Sequence, residues 1–427
     1  MADPVATLRA VTRRRTVGDP PPCPPADGWR ELLACTPPEC HPWIGARATA
    51  RFGDAVPVDA RRALQTAARG GRIAALHRAA LLKRVAPALD RAGITFLILK
   101  GAALAYVAYE DPAHRTMGDL DIWTRAEDLP RALAVFERAG FRPHPSIAER
   151  SRAWAAAMAT QVLVAPGSPL VVELHGRLNS LTGCWPGWTD RAWTRCERRR
   201  LGDVTANVLH PEDALTHLVI HGGRTHELQR GLRALIDVRV LLEREGHRIG
   251  WSELASDWRR EGLGAWALVI LALASDLLDA PVPPDVIVAS REDPAAAALV
   301  AAAGAHLVTR DATLPPGVRR FVVSTPRART RWLLTRFTTR YLLGPAGARR
   351  RPGEALREAL FRVRYDATTR MARYVRGLLS GALRGAELRR RTDLAIAHQQ
   401  LISRIRAFEA AAARPPDSDP ALDRRAG

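Results

Sequence analysis

The sequence predicts an α/β (α+β) core set between N-terminal helices and a large C-terminal all-helical region. Three observations carry that reading. Residues 94–175 alternate short β-rich apolar runs with helical segments, the texture of a sheet with helices packed on it. From residue 210 to about 410 only helix-period patterns occur. Hydrophobic residues make up 47% of the chain but aromatics only 6%. Ala and Leu must then fill most of the core, which favours helices.

At 427 residues, 25% of them charged, the chain is globular in composition and too long for one ordinary domain. Residues 1–26 are rich in Pro and Arg and read as a disordered tail. A segment at 27–92 carries helical periodicity, with Leu64, Ile73, Leu76, Leu81, Val85 and Leu89 at three- and four-residue steps before Gly93. It is expected to pack on a core at 93–209. In that core Ile94–Leu99 reads as a strand ending at Lys100-Gly101, and Ala102–Tyr109 as a helix. Leu120–Thr124 is a second strand and Glu127–Ala139 a helix closed by Gly140. Thr160–Ala165 and Leu170–His175 are further strands split by a Pro-Gly-Ser-Pro turn, and Val204–Leu209 adds one more. His210-Pro-Glu-Asp marks a helix start, with Pro at the first position and acids in the first turn. The helical domain at 210–410 begins there, and 411–427 reads as a second disordered tail.

Charge is concentrated in one region. Residues 310–409 hold 23 arginines against 7 acids, a net of +16 out of +20 for the chain. Such a block has three readings: a solvated face, a nucleic-acid surface, or a foot on an anionic membrane, the last through the amphipathic segment around Trp332. Only Lys83 and Lys100 are lysines among 64 basic side chains, which singles out each of them. The longest apolar run, Leu263–Ala274, is 12 residues, too short to span a bilayer. No apolar signal segment opens the chain, and five cysteines without CxxC spacing read as reduced thiols. The expected location is cytoplasmic.

The chemistry concentrates between residues 99 and 175. Asp119 and Asp121 lie two apart on a predicted strand, so both carboxylates share one face. Like charges that close need a compensating partner, and Mg2+ (or Mn2+) suits oxygen ligands of this kind. A bare pair of acids is as well explained by solvation at a strand end. The surrounding residues tilt the balance. Lys100-Gly101-Ala102 sits where a strand turns into a helix, a place where backbone N–H groups approach phosphate. Glu173 interrupts an apolar strand, where an acid is costly unless paired or metal-bound.

This segment resembles the polymerase-beta-like nucleotidyltransferase superfamily, and more closely an uncharacterised bacterial nucleotidyltransferase family. The matching residues are Leu99-Lys100-Gly101, Leu104, Arg115, Asp119-Leu120-Asp121, Gly140-Phe141 and Glu173-Leu174-His175. Looser similarity runs from about Trp29 past Asp237 to Pro281. The resemblance implies a mixed-sheet core in which Asp119, Asp121 and Glu173 bind metal and catalyse. The reaction it implies is transfer of a nucleoside monophosphate from an NTP to a hydroxyl acceptor. Lys100, Gly101, Ala102 and Arg115 become the nucleotide contacts, while His175, His221 and Asp237 border the cleft. One departure is Ala102, where most of the superfamily has serine after the turn glycine. The acceptor is left open among small molecules, sugars, peptides or proteins and RNA ends. A second reading is a catalytically silent member that binds RNA or an acidic partner through 310–409.

Two weaker signals have competing readings. His217 and His221 lie i,i+4 on a predicted helix with His226 close behind, but no acid lies between them as in a zinc motif and a third ligand would be needed, so they read as helix-face histidines. Trp185, Trp188 and Trp193 could stack on a base, but burial is the commoner fate of such side chains.

Overall fold

The structure is a computed structural model that describes residues 3–13, 22–144, 160–165, 167–178, 185–228, 231–307 and 385–412. Before the sheet lie α1 (Pro4–Thr12), α2 (Ala26–Cys35), α3 (His41–Phe52) and the long α4 (Val58–Arg91). The next segments are β1 (Phe96–Ile98), α5 (Lys100–Val107), β2 (Asp119–Thr124), α6 (Leu129–Arg138), β3 (Arg142–Pro143), β4 (Thr160–Val164) and β5 (Val171–His175). Then follow α7 (Pro186–Arg195), β6 (Glu197–Leu201), β7 (Val204–Val208) and α8 (Pro211–Leu218). The remaining long helices are α9 (Gly231–Glu245), α10 (Trp251–Arg260), α11 (Gly264–Leu278), α12 (Pro294–Leu307) and α13 (Gly385–Ala412).

One seven-stranded sheet runs in the order β3-β4-β5-β2-β1-β7-β6. It is mixed: β2 runs parallel to β5 and β1 to β7, and the other pairings are antiparallel. The α/β core flanked by helices is thus the observed fold. Period-two alternation splits the sheet into two faces. Leu120 and Ile122 of β2 with Val172 and Leu174 of β5 join a core closed by α4, α5 and α6. The opposite face carries Asp119, Asp121 and Trp123, and Trp123 belongs to a second, larger core shared with the helices beyond β7.

That second core draws in α1, α2 and α3, which pack against the C-terminal helices, while the second half of α4 packs on the sheet. The N-terminal helices therefore divide between two layers. The expected tail at 1–26 is corrected over its described part. Asp3 caps the first turn of α1, Pro4 opens it, and Leu8 and Val11 are buried. An Asp-Pro helix start with apolar residues three apart is enough to fold once a helical layer offers a surface. Strand β6 is an addition: Glu-Arg-Arg-Arg-Leu pairs antiparallel with β7 along its whole length.

Of the basic block, residues 308–384 lie outside the described residues. So do Cys184 and the tail from 413 onward. The described end of the block folds back on the helical layer. Leu401, Ile402 and Ile405 of α13 are buried, and Glu409 accepts bonds from the Gly264 and Ala265 N–H groups at the start of α11. Within the described residues, no helix is long and apolar enough to cross a membrane.

Candidate active site

The site is set by strand register. Parallel pairing puts Asp121 opposite Glu173 and Trp123 opposite His175. Asp121, Glu173 and His175 thereby share one face, and each offers a ligand atom within 4.8 Å of the others. The Nε2 of His175 lies 2.9 Å from Asp121 Oδ1 and 3.7 Å from Glu173 Oε2. Asp121 is buried, whereas the Glu173 carboxylate is about one-third exposed. Asp119, two residues earlier, lines the same cleft but stands outside this compact group.

Lys100 sits at the corner between β1 and α5 with φ +50°. A left-handed backbone costs a non-glycine residue about 1–2 kcal/mol. Here the corner brings the ammonium to 2.5 Å from Asp121 Oδ1, a charge-assisted contact that offsets that cost. Burial alone would raise the Asp121 pKa, but Lys100 and His175 outweigh it and hold the carboxyl well below its usual range. Glu173 moves the other way: burial raises it, and the neighbouring Asp121 charge raises it further.

Gly101 and Arg115, expected as nucleotide contacts, both line the cleft, and Arg115 is also tied into its floor. The Arg115 guanidinium is buried and donates from Nε and Nη2 to Asp237 at 2.7 and 2.8 Å, and from Nη1 to the Thr116 carbonyl at 2.6 Å. Tyr109 Oη donates to Asp237 Oδ1 at 2.7 Å. Burial would lower the Arg115 pKa, but Asp237 dominates and raises it, so the charge is permanent and already matched. A Cβ on Gly101 would meet Arg115 Cζ at 2.8 Å. Glycine is needed there because a guanidinium lies flat against it. Ala102 is buried in the core of the sheet's other face. Arg115 and Asp237 are therefore the floor of the cleft.

The opposite wall is α8 and its continuation, a wide π-type turn at Val219–Thr225. Such turns often mark functional sites. His217 and His221 line the cleft from this wall. Burial, then the Lys100 charge, pushes His217 down to about 3 and His221 well below its ordinary value, so both rings are neutral at pH 7. Gly222 lets the turn approach α9 closely, since a Cβ there would meet Ala234 Cβ at 2.9 Å. Arg233, four residues before Asp237 on α9, also faces the cleft. It escaped the sequence reading, although the i,i+4 spacing to Asp237 was a usable signal.

Together these elements line an open cleft. Trp185, Trp188 and Trp193 do not line it; they are buried, with Trp188 stacked on Trp123 at 6.0 Å.

The family model described as uncharacterised nucleotidyltransferase matches residues 32–279, more than half of the chain. The chain belongs to the uncharacterised nucleotidyltransferase family. Comparison with curated proteins and with solved structures gave no match. The matched span ends at the C-terminus of α11, so it takes in the sheet, the cleft and both of its walls.

The donor set fits a divalent cation. Two carboxylates and an imidazole converge, and an ammonium already rests on the buried carboxylate as a cation would.

Proposed function

We propose that this nucleotidyltransferase moves a nucleoside monophosphate from an NTP to a hydroxyl acceptor in the cleft between β2, β5 and the α8–α9 wall. The observation that carries the reading is the register of Asp121 against Glu173 beside the Lys100 corner. Asp119, Asp121 and Glu173 would hold the divalent ion, Mg2+ or a relative, which supplies charge neutralisation for the triphosphate and the leaving pyrophosphate.

The chain's own residues do the rest. Lys100 supplies a cation to the site: its ammonium is on Asp121, beside Gly101 where a phosphate would lie. Arg115, locked to Asp237, holds the floor that orients the nucleotide and does not contact phosphate. Glu173 Oε2 takes the proton of the acceptor hydroxyl, a role its raised pKa suits. The acceptor oxygen then bonds to the α-phosphorus as the bond to pyrophosphate breaks, and the proton leaves to water through the exposed edge of Glu173. Neutral His217 and His221 add no positive charge on the α8 side of the wall.

The test is labelling by each α-labelled NTP, with Mg2+ or Mn2+, against small-molecule, peptide and RNA acceptors from a cell extract. Wild type should transfer label and release pyrophosphate. Asp121→Asn, with unchanged circular dichroism, should not. Full labelling by that variant would sink the mechanism.

A further inference from the structure

The acidic residues alone do not account for the corner beside Asp121 and Glu173. His175 is buried there, and its ring is held from both ends. At one end Nε2 faces Asp121 and Glu173 at 2.9 and 3.7 Å. On the far side Nδ1 lies 3.2 Å from Thr160 Oγ1, on the neighbouring strand β4. Thr160 is the register partner of His175, so the contact is fixed by the sheet.

A threonine hydroxyl can donate or accept. While Nε2–H donates to Asp121, the hydroxyl serves as donor to Nδ1. When Nδ1 carries the proton, the hydroxyl accepts it, and the Nε2 lone pair is freed toward the two carboxylates. Histidines that bind metal are oriented in this way, with the second ring nitrogen hydrogen-bonded behind them.

We propose that His175 is a metal ligand through Nε2, completing a two-carboxylate, one-imidazole set with Asp121 and Glu173. That set favours a first-row transition-metal dication over Mg2+, which prefers oxygen ligands and retains its water. Thr160 is a positioning residue for the ring. The inference rests on the metal-dependent reading of the cleft and deepens it by naming the class of ion.

The experiment uses the untagged full chain and Mn2+, which is visible by electron paramagnetic resonance. Wild type should bind Mn2+ and show electron spin-echo modulation from an imidazole ¹⁴N. His175→Gln should lose that modulation and bind Mn2+ about 10–100-fold more weakly, the scale for losing a ligand or its support. Thr160→Val should also weaken binding while the modulation persists, which covers the case in which His175→Gln misfolds in a thermal melt. Mg2+ should displace Mn2+ only in large excess. Bound Mn2+ without ¹⁴N modulation, or unchanged affinity in His175→Gln, overturns the proposal and leaves the transfer reading standing on its acids. Absence of Mn2+ binding overturns both. Labelling by NTPs that proceeds with Mg2+ alone at full rate, with no nitrogen signal, would sink His175 and support transfer.

Discussion

Replacing Asp237 with asparagine keeps the shape of the cleft floor and removes its charge. In the native chain the Arg115 and Asp237 side chains are 7% and 4% exposed. The carboxylate accepts two bonds from the guanidinium and one from Tyr109 Oη, all between 2.7 and 2.8 Å. Asparagine offers one oxygen, and its amide N–H groups face donors. The guanidinium would keep the Thr116 carbonyl and at most the single amide oxygen, and would lose its charged partner. A buried charge stripped of its partner costs about 3–5 kcal/mol. Tyr109→Phe removes one bond to a charged acceptor, worth about 1.5–3 kcal/mol. The two changes share one acceptor, so the double variant should lose less than the sum. Urea denaturation followed by tryptophan fluorescence reads each loss as a shift in midpoint at constant slope. Pairing Arg115→Met with Asp237→Leu should recover part of the loss, because an apolar pair of similar volume leaves no charge behind. A loss under about 1 kcal/mol for Asp237→Asn would refute the reasoning, since it would mean the guanidinium is solvated or finds another partner.

Two further outcomes are expected. Lys100→Ala should weaken NTP binding in calorimetry by about 1–3 kcal/mol, the range for one charge-assisted contact. The same change should tighten Mn2+ binding without nucleotide, because no ammonium then competes for Asp121. Unchanged values for both would make Lys100 a structural side chain. For His217 the folded pKa is depressed to about 3 from an ordinary 6.5. Above pH 6.5 the ring is neutral folded or unfolded, and its contribution does not change. Below it only the unfolded chain gains the proton, so stability should fall by up to about 1.4 kcal/mol per pH unit down to about pH 3. His217→Gln should flatten that part of a stability profile, and an unchanged slope would place a solvated ring at 217.

Much of this arrangement was legible in the residues. Short-range patterns revealed the Lys100 corner, the paired acids of β2 and the Glu173-Leu-His run of β5, because strand period and the i,i+2 rule act over a few residues. Pairing between distant segments was not legible. Arg115 and Asp237 are 122 positions apart, and nothing local in either shows that they neutralise each other, so Arg115 read as a free phosphate contact. His175 gained its place only when register set it across from Trp123, one step beyond Glu173. Strand β6 was hidden by its three arginines, whose long stems tolerate a half-exposed edge while masking alternation. Helix α1 was hidden by the Pro/Arg composition around it.

That first helix changes how the N-terminus should be regarded. Thr12 offers its carbonyl to Arg239 Nη1 at 2.6 Å, and Arg9 Nε reaches the Asp276 carbonyl at 2.9 Å on α11. Arg239 is wholly buried and stands two residues from Asp237 on the same helix. One helix thus has a grip at each side: it clasps α1 with one hand and the floor of the cleft with the other. Trimming residues 1–13 as dispensable would take the Thr12 carbonyl from Arg239, leaving its guanidinium on Glu243 alone, and would bare the core residues that Leu8 and Val11 cover. In this protein α1 is anchored on the same helix that supplies Asp237 to the cleft floor, so a change at residues 3–13 bears on a helix of the site.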